Sequence, residues 1–450
     1  MRFLPEHEGR TAAVIGLGHV GSVVAAGLAD GGVEVVGIDA DAALVAELTG
    51  RHCRFHEPGL PKLLVASLDA GRLRVTTDYA AASAVDVVIV AVGTPTGQDG
   101  ALIDTQLRGA CTELARHLRA GQLVIVKSTV PPGTTRGLIA PLLEGGGLAC
   151  GTDFGLAFCP ERLSEGAALR ELRSLPIIVG GWCDDSADAA AEFWRSGIGT
   201  QIIRHASLES AEMVKLADNW WIDHNIALAN ELAKLCAALD VDVLEVISAA
   251  NSLRKGGGNV NILLPSVGVG GSCLTKDPWM VWRAAADRGV DLRTIPVVRD
   301  INDGMPAYTV GLIRDELGGA GKPPAAATIA VLGLAFKNNT ADLRATPALP
   351  VVAALRETGA TVRIFDPLAD PDAVTRLFGL RPAASVREAV AGADCVAVLA
   401  RHDELDEIDF GELRELVAPS CAVVDGRAYY PRETIELLRR HGFRYRGIGR

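Results

Sequence analysis

Apolar runs that alternate with helical patterns dominate the first two hundred residues. The run at 11–15 leads into a glycine-rich turn, GLGHVG at 16–21, and a helical stretch through Ala29. Further apolar runs are typical of buried strands; they are VEVVGID ending at Asp39, VDVVIVAVG at 85–93, QLVIVKSTV at 122–130 and PIIVGG at 176–181. This alternation predicts a doubly wound parallel sheet, which we assign to residues 1–204.

The pattern changes in a central region, which we place at 205–305. The segment 209–239 consists of good helix formers and predicts one long helix. Its apolar positions exceed a single stripe, so we expect it to join two domains and to pack against a partner subunit. Two glycine-rich stretches, KGGGN at 255–259 and VGVGGSC at 267–273, are too flexible for a helix interior.

The last region, 320–450, follows a proline-rich link and repeats the order of the first. TIAVLGLAFK predicts a strand that enters a glycine-bearing turn, TVRIFDP ends its strand at Asp366, and ADCVAVLA and CAVVDGR supply two more strands. A second Rossmann-like domain is therefore expected, although the full dinucleotide glycine fingerprint is absent from it. The predicted fold is α/β, with two doubly wound domains joined by a helical region.

Composition narrows the classes of function. The chain has 450 residues, which suggests about three compact units at roughly 150 residues each. With 49% hydrophobic and 22% charged residues and no long apolar run, it is expected to be globular, without a membrane span. A net charge of −11 disfavours a nucleic-acid or anionic-membrane surface. The absence of a CxxC pair among nine cysteines, and of an apolar leader, favours reduced thiols in the cytoplasm.

The glycine-rich turn is the first motif that indicates chemistry. Gly16 permits the tight turn, Gly18 lets a pyrophosphate approach the N–H groups of a helix N-terminus, and Gly21 allows close helix packing. Asp39 can accept hydrogen bonds from a ribose 2′-hydroxyl, and its charge would repel a 2′-phosphate. The motif therefore predicts NAD rather than NADP as cofactor.

Two loops follow predicted strands and lie at the carboxyl edge of the sheet, where ligands bind. They are GTPT at 93–96 and STVPPGT at 128–134, although the prolines of the second also suit a simple helix start. In CPERLSEG at 159–166, Glu161 and Glu165 are candidates for activating water. Ordinary solvated acids are the alternative.

Three more candidates lie in the central region. Lys215 and Asn219 are four residues apart on the long helix, so both can point at one oxygen, although most helical lysines are simply solvated. Cys273 follows glycines that permit close approach of a substrate, and Lys276 would favour its thiolate; a buried inert cysteine is the alternative. The cluster of His52, Cys53 and His56 lacks a familiar ligand spacing, so no metal is expected.

These motifs together resemble one family. The ordered set GLGHVG, VGTPT, STVPPGT, CPERLSEG, AEMVKLADN, VGVGGSCLTKDP, LGLAFK and DGR, across residues 10–445, is similar to the UDP-glucose/GDP-mannose dehydrogenase family. The resemblance implies that the first Rossmann-like domain holds NAD and that the last largely holds the nucleotide diphosphate.

The resemblance also implies roles for individual residues. Cys273 looks like the thiol nucleophile, Lys215 and Asn219 like oxyanion stabilisers, and Asp277 like a helper of proton transfer. Thr129 and Glu161 look like groups that position water. The implied cofactor contacts are Gly16, Gly18, His19, Val20, Gly21, Asp39, Gly93, Thr94, Thr129, Glu165, Lys276 and Arg344. The implied substrate contacts are Glu161, Arg162, Leu163, Lys215, Asn219, Asn261, Gly270, Lys337 and Arg427.

The resemblance implies a four-electron oxidation of the C6 alcohol of a nucleotide hexose to a uronic acid by a homodimer. We expect a UDP- or dTDP-glucose-type hexose, oxidised through a thiohemiacetal and a thioester on the cysteine. SEG and GGSCLTKD resemble members that act on UDP- or dTDP-glucose, whereas PER and KDP resemble members that act on N-acetylated hexoses. In glucose-type members an arginine stands where this chain has Asn261, so either the sugar is recognised differently or a nearby basic residue, such as Arg254 or Lys255, substitutes. The alternatives are a UDP-N-acetylhexosamine 6-dehydrogenase and, more distantly, a two-electron hydroxyacid dehydrogenase or a non-catalytic nucleotide-binding protein.

Overall fold

The computed structural model of the protein describes residues 3–4, 10–406 and 408–450. Most of the N-terminal stretch that carries the expectation about a leader lies outside these residues. The chain divides into two compact units. The first unit comprises Met1–Asp218 and Trp279–Asp291, and the second comprises Asn219–Pro278 and Leu292–Arg450.

The first unit is built on a doubly wound sheet. Among the described residues it has eight strands in the order β3-β2-β1-β4-β5-β6-β7-β8. Their bounds are β1 Thr11–Ile15, β2 Glu34–Ile38, β3 Leu73–Thr76, β4 Val87–Val90, β5 Leu123–Val126, β6 Gly155–Phe158, β7 Ile177–Gly181 and β8 Ile202–His205. Every pair is parallel except β6 with β7, where the chain returns in the opposite direction. The predicted strand at 176–181 therefore ends at the opposite edge from β1, β4 and β5.

Helices cover both faces of this sheet. They are α1 His19–Asp30, α2 Ala42–Thr49, α3 Leu60–Asp69, α4 Thr105–Ala115, α5 Ala140–Glu144, α6 Ala168–Ser174 and α7 Asp184–Gly197. Strand side chains alternate between two cores, as β4 illustrates. Val87 and Ile89 pack into one core, and Val88 and Val90 pack into the other. Burial on both faces explains why β4 and β5 are continuous apolar runs rather than alternating ones.

A 31-residue helix, α8 at Leu208–Ala238, begins in the first unit and ends in the second, within one residue of the predicted bounds at both ends. A two-stranded hairpin, β9 Arg254–Lys255 and β10 Gly258–Asn259, occupies the first predicted glycine-rich stretch. The remaining helices are α9 Val243–Ala250, α10 Asp277–Ala286, α11 Thr294–Asp303, α12 Met305–Gly319, α13 Ala348–Glu357, α14 Pro371–Phe378, α15 Val386–Val390, α16 Asp403–Asp406, α17 Phe410–Leu416 and α18 Arg432–Arg440.

The second unit contains the second Rossmann-like sheet. It is entirely parallel, with the order β12-β11-β13-β14-β15 in the part of the chain that the structure describes. The strands are β11 Thr328–Leu332, β12 Thr361–Phe365, β13 Cys395–Val398, β14 Ala422–Asp425 and β15 Arg444–Gly447. Two such sheets and a helix-rich central region confirm the predicted fold class. None of the helices in the described ranges is long and apolar enough to cross a membrane.

Candidate active site

The glycine-rich turn between β1 and α1 has one glycine that the protein itself does not require. Gly16 has a φ of +91°, and a Cβ there would lie 2.7 Å from the Ala91 carbonyl oxygen. A Cβ at Gly21 would lie only 1.7 Å from the Gly16 oxygen. A Cβ at Gly18, by contrast, would meet no atom within 4 Å, and Gly18 is exposed at the N-cap of α1. The open space in front of Gly18 fits a pyrophosphate at a helix N-terminus.

Asp39 follows β2 directly and shapes the same turn. One carboxylate oxygen accepts from Leu17 N at 2.6 Å, and the other accepts from Asp41 N at 2.9 Å. The side chain stays partly exposed, so its remaining acceptor capacity suits a ribose hydroxyl. Gly93 and Thr94 follow β4; the first is exposed and the second is buried. Val20 packs against the core of the sheet.

A buried glutamate on α8 holds the loop that carries Thr129. Glu212 accepts from Gly133 N at 2.5 Å and from Thr135 N at 2.8 Å. Burial raises the pKa of Glu212, and these hydrogen bonds oppose the shift. Ser128 Oγ donates to Val92 O at 2.7 Å, which ties the loop to the end of β4. Thr129 is partly buried in this anchored loop.

Glu161 and Lys215 lie together in the first unit. The Lys215 ammonium is 3.6 Å from a Glu161 carboxylate oxygen, and both side chains are at most 10% exposed. Glu161 also accepts from Leu163 N, which fixes its orientation. Behind this pair Lys127 is buried, with Nζ 3.4 Å from Pro160 O and 5.2 Å from the centre of the Trp194 ring.

Burial lowers the pKa of Lys127, whereas the nearby Glu161 raises it. A lysine in such a place is expected to have a specific electrostatic partner, because an unpaired buried charge is strongly unfavourable. Glu161 therefore has Lys215 on one side and Lys127 in the interior. This arrangement favours an oriented carboxylate, as a base that activates water requires.

The rest of the loop that carries Glu161 is also anchored. Arg162 donates to Asp218 at 2.8 Å, so its guanidinium is paired within the first unit. Leu163 packs against the core, and Glu165 is partly buried. The loop ends at α6, where a second buried glutamate, Glu57, holds it. Glu57 accepts from Ala168 N at 2.7 Å, from Gly166 N at 2.8 Å and from His19 Nε2 at 3.1 Å.

In the second unit a buried carboxylate organises the residues around Cys273. Asp277 is fully buried at the start of α10 and accepts from Asn219 Nδ2 and from Lys276 Nζ, each at 2.5 Å. Its backbone N donates to the Cys273 carbonyl oxygen at 2.9 Å. Cys273 is exposed, in contrast to the buried inert thiol that was the alternative. Lys276 is paired with Asp277, so its predicted effect on the thiolate and its predicted cofactor contact stay predictions.

The loop before Cys273 packs on Phe336 of the LGLAFK turn. A Cβ at Gly270 would lie 2.6 Å from the Cβ of Phe336, so glycine is required there for packing. Arg427 donates to the Phe336 carbonyl oxygen, while its Nε is buried without a hydrogen-bond partner in the described residues. Lys337 follows Phe336 and is partly exposed. The structure thus brings the cysteine loop, Lys337 and Arg427 to one part of the second unit.

Two predicted contacts have other partners. Arg344 is exposed, and its Nε donates to the Asp342 carboxylate at 2.8 Å. The backbone carbonyl of Asn261 accepts from Asn225 Nδ2 of α8 at 2.7 Å, while the residue itself is exposed. The suggested substitutes for the missing arginine, Arg254 and Lys255, form the exposed strand β9. None of these contacts tests the predicted ligand roles.

The second Rossmann-like sheet lacks an accessible counterpart of Asp39. Asp366 follows β12 at the corresponding place, but its side chain is fully buried and lies 3.1 Å from His402 Nε2. It also accepts from Leu334 N at 2.6 Å. Burial raises the pKa of Asp366, but the hydrogen bonds outweigh burial and leave the pKa below its usual value. The Asp366 carboxylate is occupied by contacts within the protein. The second sheet therefore has the same fold as the first but does not offer this acid to a ribose.

Four residues of these arrangements were not identified from the sequence: Glu57, Lys127, Glu212 and Phe336. Each has only a weak local signal, such as the acid before Pro58 and Gly59 in HEPGL. The described residues include no group of three or more His, Cys, Asp or Glu side chains arranged to hold a metal ion.

Three models of one protein family match this chain in order. The UDP-glucose/GDP-mannose dehydrogenase family has its NAD-binding domain matched at residues 10–197, its central domain at 209–304 and its UDP-binding domain at 330–432. The boundaries predicted at 204, 205–305 and 320 were drawn from pattern alone and stay predictions.

Similar proteins span almost the whole chain. The UDP-N-acetyl-D-mannosamine dehydrogenase of Pyrococcus horikoshii is 35% identical over 439 residues, which cover 97% of this chain and 99% of the relative. UDP-glucose 6-dehydrogenase AglM of Haloferax volcanii is 33% identical over 446 residues, with 97% and 99% covered. A solved structure of UDP-D-ManNAc dehydrogenase from Pyrococcus horikoshii has a TM-score of 0.87 and 34% identity, and covers 98% of this chain and 99% of that one.

Proposed function

The chain belongs to the UDP-glucose/GDP-mannose dehydrogenase family and is an NAD-dependent nucleotide-sugar dehydrogenase, and from this premise we propose that it oxidises the C6 alcohol of a UDP-N-acetylhexosamine to the carboxylate. The observation that carries the proposal is the exposed Cys273 beside the buried Asp277, whose carboxylate holds the Asn219 amide. A two-electron alcohol dehydrogenase has no need of this thiol.

The reaction removes four electrons from one carbon. The alcohol, two NAD⁺ and one water give the carboxylate, two NADH and three protons. NAD supplies the chemistry of hydride acceptance, once from the alcohol and once from the cysteine adduct of the aldehyde. The chain's own residues supply the nucleophile, the oxyanion contacts and the activated water.

We assign the covalent steps to Cys273. Its thiolate adds to the aldehyde carbon and forms a thiohemiacetal, and loss of a hydride from that adduct leaves a thioester on the same sulfur. Asn219 Nδ2 carries two hydrogens and gives one to Asp277. The other is available to the adduct oxygen, where one well-placed donor typically contributes about 3 to 4 kcal/mol. Asp277 would take part in proton transfer to and from this oxygen.

We assign the hydrolytic step to the residues around Glu161. Lys215 would stabilise the oxyanion, and its ammonium, 3.6 Å from the Glu161 carboxylate, helps to orient the base. Glu161, with Thr129, would position water and accept its proton as the thioester carbon–sulfur bond breaks. The thiolate of Cys273 leaves and is ready for another turnover.

The residues present in the first unit fit NAD. Gly18 leaves space that a pyrophosphate would fill, and Asp39 offers carboxylate acceptors to the ribose hydroxyls. His19, Val20, Gly21, Gly93 and Thr94 line or support the same edge. Glu165 in the first unit, and Lys276 and Arg344 in the second, are further candidates. On the nucleotide side we assign Lys337 and Arg427, whose buried Nε lacks a partner among the described residues.

Among the candidate sugars we favour the N-acetylated hexoses over the glucose type, which the motifs SEG and GGSCLTKD had indicated. The Pyrococcus horikoshii relative and the solved structure from that species both bear the name of an enzyme for UDP-N-acetyl-D-mannosamine. The motifs PER and KDP and the replacement of an arginine by Asn261 agree with this choice. UDP-glucose is the second candidate, supported by the Haloferax relative.

A panel of nucleotide sugars tests the choice. UDP-N-acetylmannosamine or UDP-N-acetylglucosamine is expected to give a kcat/KM at least about ten-fold above that of UDP-glucose or dTDP-glucose. GDP-mannose is expected to be poor. A higher kcat/KM for a glucose form would replace the main proposal with the second candidate.

We also propose a homodimer that forms along α8. Trp221, Leu228 and Leu235 are seven residues apart and 49–56% exposed, so an apolar stripe follows one face of this helix. A second copy of the stripe is a suitable cover, because repeats of seven let two helices pack along their length. Light scattering should find a dimer at micromolar concentration. Leu228→Glu should give monomers, whereas Val290→Glu, at an apolar site of similar exposure, should not.

A further inference from the structure

Glu57 is a buried carboxylate whose partners belong to two functional segments. It lies in the turn between α2 and α3 and is 2% exposed. Oε2 accepts from His19 Nε2 at 3.1 Å and from Gly166 N at 2.8 Å, while Oε1 accepts from Ala168 N at 2.7 Å. All four residues belong to the first unit.

The segments that Glu57 joins have different predicted ligands. His19 is the first residue of α1, directly after the exposed Gly18 of the glycine-rich turn. Gly166 and Ala168 end the loop that begins at Glu161, and Gly166 has a left-handed φ of +84°. Glycine adopts this φ without strain, and the N–H groups of Gly166 and Ala168 hold the end of the loop on the Glu57 carboxylate. Glu57 thus contacts both the end of this loop and the first residue of α1, next to the glycine-rich turn.

The burial of Glu57 makes these contacts dependent on one another. A buried carboxylate is unfavourable unless donors surround it, and the described donors are the two loop N–H groups and the His19 ring. His19 Nε2 and Gly166 N share Oε2, so the position of the imidazole helps to set the orientation of the carboxylate that both loop N–H groups require. His19 is also placed by the edge of the Phe55 ring, with centroids 6.1 Å apart. A ligand that fixes His19 would therefore strengthen the hold of Glu57 on the loop.

We propose that Glu57 is a positioning residue that, through His19, couples cofactor binding at the glycine-rich turn to the order of the 161–168 loop. The inference rests on the proposed function, because it takes NAD as the ligand of the turn and Glu161 as the base. It gives the enzyme an ordered response, in which the bound cofactor helps to hold the loop that carries this base.

Hydrogen–deuterium exchange of the whole protein tests the coupling. We expect saturating NADH to slow exchange in peptides that contain Gly166 and Ala168 by about five-fold or more in the wild type. Glu57→Gln and His19→Phe should remove this effect, because each breaks the chain of contacts at a different link. His19→Gln keeps a side-chain donor and should restore part of the effect. Glu47→Gln, an exposed carboxylate paired with Arg54, is the matched control and should behave as the wild type.

The outcomes separate this inference from the function beneath it. The coupling would be overturned if NADH slowed exchange equally in the wild type and in His19→Phe, or did not slow it in the wild type. NADH binding, followed by fluorescence in the same samples, would still uphold the cofactor assignment. Absence of NADH binding to the wild type would overturn the proposed function together with the inference. His19→Phe leaves Glu57 in place, so the test stands even if thermal melts show that Glu57→Gln does not fold.

Discussion

Replacing Gly18 by alanine separates what the fold needs from what the cofactor needs. Gly18 has a φ of −58°, which alanine adopts freely, and a Cβ there meets no atom within 4 Å. Alanine is slightly worse than glycine as an N-cap, but it lowers the entropy of the unfolded chain. The two effects oppose each other, so the free energy of unfolding should change by less than about 1 kcal/mol. The melting temperature should move by no more than about 4 °C.

The same methyl group should weaken NADH binding. If the pyrophosphate fills the space in front of Gly18, the added carbon overpacks that contact, which typically costs about 1–3 kcal/mol. This corresponds to a Kd increased roughly 5- to 150-fold. Gly21→Ala is the contrasting variant, because its Cβ would lie 1.7 Å from the Gly16 oxygen. That substitution should destabilise the protein itself by about 3 kcal/mol or more.

Thermal unfolding and fluorescence titration with NADH measure the two effects on the same samples. Calorimetry with the nucleotide sugar serves as the control and should give an unchanged Kd for Gly18→Ala. Wild-type affinity of Gly18→Ala for NADH would refute the assignment of this space to the cofactor. A loss of stability as large as that of Gly21→Ala would refute the structural argument that Gly18 is dispensable for folding.

Three further predictions follow from individual residues. Asp39→Ala should raise the KM for NAD by roughly 10-fold or more, since a hydrogen bond to a charged group is worth about 1.5–3 kcal/mol. It should also narrow the preference for NAD over NADP. An unchanged ratio of kcat/KM for NAD to kcat/KM for NADP would contradict this prediction. Cys273→Ser should almost abolish turnover while the Kd values of NADH and nucleotide sugar stay within about two-fold, with a slow ester adduct seen by mass spectrometry; near wild-type turnover would exclude covalent catalysis. Lys127→Met should leave the protein as stable at pH 7, or more so, because a buried charge is replaced by an apolar chain of similar length. Burial lowers the pKa of Lys127 in the folded protein. Between that lowered pKa and about 10.4 only the unfolded chain holds the proton, so the wild type gains stability as pH rises through this range. Urea unfolding at several pH values should show this slope in the wild type but not in the variant, and equal slopes would contradict the assignment.

Most strands that the sequence pattern predicted are apolar runs, and the predicted long helix has a clear helical period. β1, β4, β5 and β11 are buried on both faces, and α8 is long enough for its helical period to be unambiguous. The missed strands have weaker patterns. β3, β8 and β15 form sheet edges, where polar side chains such as those of IIRH and RYRG interrupt the apolar run. β6, GLAF, is buried but has only four residues, one of them glycine.

The candidate site divides in a similar way. Three motif residues were identifiable as candidates, and their roles stay predictions: Asp39 after a predicted strand, Cys273 after a glycine-rich stretch and Glu161 in CPERLSEG. Glu57 and Lys127 were not, because their importance depends on partners far along the chain. Glu57 binds N–H groups 109 and 111 residues away, and backbone donors leave no pattern in side-chain identity. The burial of Asp366 could not be predicted for the same reason, because its partner His402 lies 36 residues further along the chain.

The number of NADH molecules formed per nucleotide sugar consumed tests the four-electron oxidation most directly. The measurement needs limiting UDP-N-acetylhexosamine, excess NAD and completion of the reaction, with NADH followed by absorbance and the sugar product by mass spectrometry. The covalent route through Cys273 predicts two NADH and a product heavier by one oxygen and lighter by two hydrogens. One NADH per sugar with an aldehyde product would contradict the account and support a two-electron dehydrogenase, and no NADH would support a nucleotide-binding protein without this activity.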